Sequence, residues 1–301
     1  MKLRLFLLLL LLGGVRAHGQ KTPDDYMEEA RMHQYMQHKP NVDHLEQHDS
    51  IALADYRYIV EQHPKSTLCL AAYYDIARIY ERQGREADAI ATYHKVIALA
   101  MDTKPKKEKY NFNNEGNEAA RSLCDYHEKR GNYDSALYYL GIYDTVLRMF
   151  YGCGNAAAAD QHVTIIRYAD IYLRAHRVRD AEIVLLQDMQ PDLLSSNEEI
   201  AKKLRELFTK YEKAQNLRSE MEKAVNSYFS DTDIHTEDDR TDTFISFGIN
   251  FLGAKIRGIC SNESLCRLAS GNAPPALWPP GREQIVAYLR KSDVYKLVQK
   301  L

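Results

Sequence analysis

Residues 67–101, TLCLAAYYDIARIYERQGREADAIATYHKVIALAM, decide the architecture of this chain. Two amphipathic helical patterns flank Gly84, and Ala77 in the first stands twelve positions before Ala89 in the second. Small side chains at that spacing let two antiparallel helices, joined by a tight turn, approach closely. The spacing recurs with Cys124 and Ala136, and again with Ala169 and Ala181. A hairpin of this kind cannot bury its apolar face alone, so stacking on further copies is expected.

Working outward, NEAARSLCDYHEKRG and NYDSALYYLGIYDTVL form a second hairpin turning at Gly131. HVTIIRYADIYLRAH and RVRDAEIVLLQDM form a third, closed by Pro191, and NEEIAKKLRELFTKYEKAQ with NLRSEMEKAVNSYF a fourth with fewer marker residues. Upstream, residues 24–38 read as a helix with acids in its first turn, which favour the helix dipole, and Pro40 stops it. Another helix begins near Asp43 or Asp49 and runs to Pro64. The polar stretch TKPKKEKYNFNNEGN between the first two clear copies reads as a loop.

These residues resemble the tetratricopeptide repeat (TPR) family, whose unit is a helix–turn–helix of about 34 residues. Tyr73, Ile76, Ala77, Tyr80, Gly84, Ala89, Tyr93 and Val96 fall at the family's characteristic offsets. Ala120, Leu123, Cys124, His127, Gly131, Ala136, Leu140 and Tyr143 repeat them. Ile165, Tyr168, Ala169, Tyr172, Ala181 and Leu185 do so again, with His176 at the turn position. An earlier copy matches only in its second helix, through Ala52, Tyr56, Ile59 and Pro64. The spacing departs from the family: 47 residues separate Ala89 from Ala136, and 45 separate Ala136 from Ala181. The resemblance implies an all-α helix–turn–helix repeat solenoid over residues 24–229; the segment beyond it reads, from its own residues, as a small α/β C-terminal cap.

Residues 1–17 are expected to be an export signal. Lys2 and Arg4 precede the apolar run Leu5–Leu12, and Val15 and Ala17 suit a peptidase cut after Ala17, with Gly19 as a second choice. The run is about half the ~20 residues needed to cross a bilayer. Cleavage removes three basic residues and no acid, moving the formal charge from −2 to −5. With no basic block on one face, that charge argues against nucleic acid as the partner. Cys260 and Cys266 are the disulfide candidate for an oxidising compartment, whereas Cys124, at a core position, reads as a buried thiol.

Beyond Phe229 the composition changes. Residues 230–242 read as an acidic linker, and 243–301 as a segment of one or two short strands, a Pro-rich loop holding Trp278, and a terminal helix. That helix presents Ile285, Val286, Leu289, Tyr295 and Val298, either capping the last repeat or packing on another subunit.

Family geometry places the binding face on the first helix of each pair. The resemblance therefore assigns partner contacts to Tyr74, Arg78, Arg82, Arg121, Asp125, Glu128, Ile166, Asp170 and Arg174, with Glu81, Lys129 and Leu173 beside them. Mixed charge with a tyrosine suits an extended peptide. The plainer reading is a solvated face laced by intrahelical pairs such as Arg78 with Glu81 or Asp125 with Lys129.

His44 and His48 lie four apart and could share a metal, but spacing fixes no further ligand. The acids between Asp231 and Asp242 lack the glycine of a calcium loop. Cys153 has no assigned base, and no phosphate-cradling or nucleophile-elbow motif occurs. The expectation is a non-catalytic, cofactor-free TPR scaffold of the exported bacterial kind, periplasmic or secreted, that binds a protein or peptide and has no membrane span after cleavage. The alternatives are an enzyme or metal protein with its site in the His-rich start or the C-terminal segment, and a self-assembling structural protein.

Overall fold

The computed structural model describes residues 21–37, 45–103, 111–189, 197–237, 240–261 and 281–301. Its helices pair in sequence: α1 (Pro23–Gln37) with α2 (Leu45–Gln62), and α3 (Cys69–Arg82) with α4 (Glu86–Asp102). Next come α5 (Asn114–Lys129) and α6 (Tyr133–Gly141), α7 (Gly154–Arg174) and α8 (Val178–Gln187), then α9 (Asn197–Tyr211) and α10 (Ala214–Asn226). The chain divides into two compact units, Met1–Leu123 with Gly141–Phe150, and Cys124–Leu140 with Tyr151–Leu301. The expected helix–turn–helix repeats are therefore present. The signal segment and Pro40 lie outside the described residues.

All six spacing residues are buried. Ala77, Cys124, Ala136, Ala169 and Ala181 are fully inaccessible, and Ala89 nearly so. A larger side chain there would push helices apart, because interiors pack at near-crystalline density.

The three best-matched hairpins close with one turn chemistry. Gly84 and Gly131 take φ of +68° and +72°, and His176 takes +58°. In each, the next residue's N–H reaches back five positions: Arg85 to the Tyr80 carbonyl at 2.8 Å, Asn132 to His127 at 2.9 Å, and Arg177 to Tyr172 at 2.8 Å. This is the Schellman closure, which wants glycine at its left-handed position. Arg85 and Arg177 also lie over the Tyr80 and Tyr172 rings and donate to Asp88 and Asp180, so two of the turns share a second clasp.

After α6 the chain forms a π-helical turn, Ile142–Val146, where the sequence pattern suggested continuing helix; this turn belongs to the first unit. The buried Asn117 amide donates to the Tyr143 carbonyl (2.9 Å) and the Leu147 carbonyl (2.7 Å), holding that turn open. Two short parallel strands follow from it, β1 (Asn111–Phe112) and β2 (Leu147–Arg148). A Cβ on Gly116 would stand 2.6 Å from the Ala100 Cβ, so only glycine fits where α5 begins.

The C-terminal part corrects two expectations. Within the expected linker 230–242, residues 230–237 and 240–242 lie in strands: β3 (Phe229–Glu237) pairs antiparallel with β4 (Arg240–Phe251) along its whole length, and β5 (Ala254–Ser261) completes a three-stranded sheet. The alternating β-branched residues Thr232, Ile234 and Thr236 favour extended backbone beneath the acidic composition. A two-residue turn with positive φ at Leu252 and Gly253 joins β4 to β5.

The single terminal helix is two, α11 (Arg282–Leu289) and α12 (Asp293–Gln299). Ser292 breaks it by donating to the Leu289 carbonyl at 2.6 Å and accepting from the Tyr295 N–H. Ile285, Val286, Leu289 and Val298 are buried in the second unit's core with α8, α9, α10 and the sheet, and Tyr295 packs against it. The apolar face is thus spent within the chain, which fits capping and leaves that face closed to another subunit.

Because His176 is exposed and holds a left-handed backbone that costs about 1 kcal/mol, His176→Gly should raise stability by roughly that amount. Gly84→Ala should lower it by about 1 kcal/mol, although open space surrounds the new Cβ. Thermal unfolding by circular dichroism checks both. A destabilised His176→Gly protein would show that the histidine side chain, and not the backbone, holds that turn.

Candidate functional site

In the first unit, the assigned first-helix residues divide by how they are engaged. Tyr74 is half-buried, 6.3 Å from the Tyr93 ring, and burial pushes its hydroxyl pKa up. Exposed Arg78 reaches the Tyr74 hydroxyl at 3.4 Å and stands over its ring. Arg121 is exposed, and neither arginine has an ion-pair partner among the described residues. Arg82, by contrast, donates to the Asp49 carboxylate at 2.7 Å, and Asp49 is only 8% exposed. Glu81 accepts from the Tyr93 hydroxyl at 2.9 Å instead of serving Arg78.

In the second unit the charges at these offsets are paired between helices. Arg167 of α7 donates to Asp125 and to Glu128 of α5, the latter at 2.9 Å, and Arg174 donates to Glu128. Asp170 accepts from Lys203 of α9 at 2.7 Å. Successive first helices are therefore laced together, where the sequence suggested pairs within one helix. Ile166 and Leu173 pack against the core and Lys129 is exposed.

Arg167 was not assigned from the sequence, yet its offset is informative. Asp75, Ser122 and Arg167 each stand two residues before the small residue of the first helix. Each of them faces the preceding hairpin. Asp75 lies beside the Tyr56 hydroxyl, which donates to Gln34 at 3.1 Å, Ser122 lies beside the Tyr93 hydroxyl, which donates to Glu81, and Arg167 takes the two acids on α5. Tyr56 and Tyr93 share one second-helix offset, whose counterpart in the next copy is Leu140. With no hydroxyl there, the longer arginine reaches elsewhere for partners. Burial raises the Tyr56 and Tyr93 hydroxyl pKa values and the Asp75 carboxyl pKa, as expected of groups taken from water.

The other candidates are placed as follows. His44 and Cys266 lie outside the described residues, as does the Cys260 side chain. His48 instead meets His33, with their Nδ1 atoms 2.9 Å apart, beside an open cleft of about 550 Å³. Among the described residues no group of three or more His, Cys, Asp or Glu side chains is arranged to hold a metal ion. Cys69 and Cys124 are buried free thiols, and burial pushes Cys124 up to about 11. Cys153 is free and exposed. No described helix is long and apolar enough to cross a membrane.

No family model and no curated protein matches the chain. Among solved structures, the fold is similar to the TPR-like repeats of a Podosopora anserina protein described as a kinesin light chain, and to those of a point variant of it. Each shares 16% identity, covers 63% of this chain and 88% of its own, and superposes with a TM-score of 0.42.

The lacing in the second unit is open to test. Arg167 is mostly buried and serves two carboxylates, so Arg167→Met should cost about 1.5–3 kcal/mol. Arg174 is half exposed, and Arg174→Met should cost under about 0.5 kcal/mol. Urea unfolding of the two variants distinguishes a supporting cross-link from a solvated pair. Equal, small losses would remove Arg167 from any structural role.

Proposed function

We propose that this chain is a non-catalytic scaffold that holds a protein or peptide on the first-helix face of its repeats. One observation carries the reading: Tyr74, Arg78 and Arg121 stand at the assigned offsets without an ion-pair acceptor among the described residues. The charges at matching offsets of the second unit are committed to neighbouring helices. An aromatic ring with the Arg78 guanidinium over it offers a peptide stacking, backbone hydrogen bonds and a charge partner together. Asp125, Glu128, Asp170 and Arg174 act on this proposal as supports, and Ile166 as core. The scaffold works outside the cytoplasm, in a bacterial envelope or beyond it, delivered there by residues 1–17.

Charge reversal locates the surface. The pair Arg78→Glu and Arg121→Glu should abolish partner capture by native-host crosslinking while leaving the melting temperature unchanged. Arg82 is left out of that pair, because reversing it would set two carboxylates together at the buried Asp49, a loss of about 3–5 kcal/mol. A photo-crosslinker at position 78 should trap the partner and one at 174 should not; the opposite result moves the surface to the second unit. For the address, mass spectrometry of protein from the native host should find a mature chain beginning at His18, and an intact Met1 would refute export.

A further inference from the structure

The repeats expose one residue that breaks their own rule. The position following the second-helix alanine is Leu53, Ile90 and Leu137 in three successive copies, and Glu182 in the next. An apolar offset has been given a carboxylate, and it is 1% exposed. Its Oε2 makes an ion pair with Arg179 Nη1 at 2.7 Å, while its Oε1 is buried with no hydrogen-bond partner among the described residues. Arg179 is shared: its Nη2 donates to Glu212, just past the end of α9, at 2.8 Å. Two carboxylates thus compete for one guanidinium across the α8–α9 contact. An ionised carboxylate with one unsatisfied oxygen in an apolar core is costly, whereas the neutral acid is far less so.

We propose that Glu182, Arg179 and Glu212 form a proton-operated clasp between α8 and the end of α9, closed when Glu182 carries a proton and weakened when it is ionised. Burial pushes the Glu182 carboxyl up to about 7, with Arg179 pulling it down and Glu212 pushing it further up. Helix α8 also packs on α7 and β5, and among the described residues those two elements bring no charged group that acts on Glu182. The sign follows from linkage. The folded carboxyl holds its proton to higher pH than the unfolded one, whose ordinary value is 4.5. Between the two values the folded state binds more protons, so stability falls as pH rises through that window and levels off above it. One proton is involved, and the unfolding constant therefore rises by at most about tenfold per pH unit. A scaffold built this way would hold its α8–α9 joint more firmly in a mildly acidic compartment than in an alkaline one.

The test uses the full chain. Urea unfolding is measured from pH 5 to pH 8.5 for wild type, Glu182→Gln and Glu182→Leu, and the Glu182 carboxyl is followed directly by carbon NMR. The wild-type unfolding constant, divided by that of Glu182→Gln, should climb more than tenfold between pH 5 and pH 8. Glu182→Leu should be the most stable of the three at pH 8. The carboxyl should titrate near neutrality, and Glu212→Gln should lower that midpoint by removing the like charge. A ratio that stays flat with pH overturns the clasp, as does a carboxyl that titrates below 5. Should the position-182 variants fail to fold, the wild-type titration and its shift in Glu212→Gln decide the matter alone.

Discussion

Everything in the repeat region depends on how closely the two helices of a hairpin can come together. Ala77, Cys124 and Ala169 on the first helices, with Ala89, Ala136 and Ala181 on the second, are all buried. Their small volume sets the interhelix gap, and the left-handed turns at Gly84, Gly131 and His176 set the direction of return. With both fixed, the remaining apolar side chains of each pair have one surface left on which to be buried, that of a neighbouring element. The pattern is economical because a few residues of restricted size determine where many larger ones go.

The polar layer is built on that frame and divides its labour. In the second unit, carboxylates and cations at equivalent offsets tie one first helix to the next. In the first unit, the Tyr56 and Tyr93 hydroxyls stand beside Asp75 and Ser122 at the corresponding junctions and Arg82 reaches back to Asp49, while Arg78 and Arg121 make no such link among the described residues. On the proposed reading, support and recognition draw on the same residue types along the first helices.

This explains what the sequence could and could not disclose. The hairpins were legible because spacing residues and turn glycines act locally, within a dozen positions of each other. The two clasps of Arg85 and Arg177 belong to the same local grammar. The partners of Arg167 were hidden, since they sit about forty residues away and only the fold brings them into reach. The strands from Phe229 were hidden for another reason: acidic side chains suggested a linker while the β-branched residues between them set the backbone. The division of the last helix turned on one serine hydroxyl satisfying the chain on both sides of itself. Glu182 stood out only once the copies were aligned on their alanines, because a glutamate inside a helix raises no alarm until its offset is known to face inward.

The Schellman turns carry a kinetic consequence. Each is closed by bonds spanning no more than five residues, and each joins helices whose contacts are near in sequence. Short loops are cheap to close, so a chain of such pairs has little search to perform before its first productive contacts form. Any of the three hairpins can nucleate, and a nascent polypeptide could begin ordering as soon as one pair has left the ribosome. The three-stranded sheet and its two short helices need residues some seventy positions apart, as in the contact between Tyr295 and Glu222. Their assembly must wait until those distant segments have been brought together.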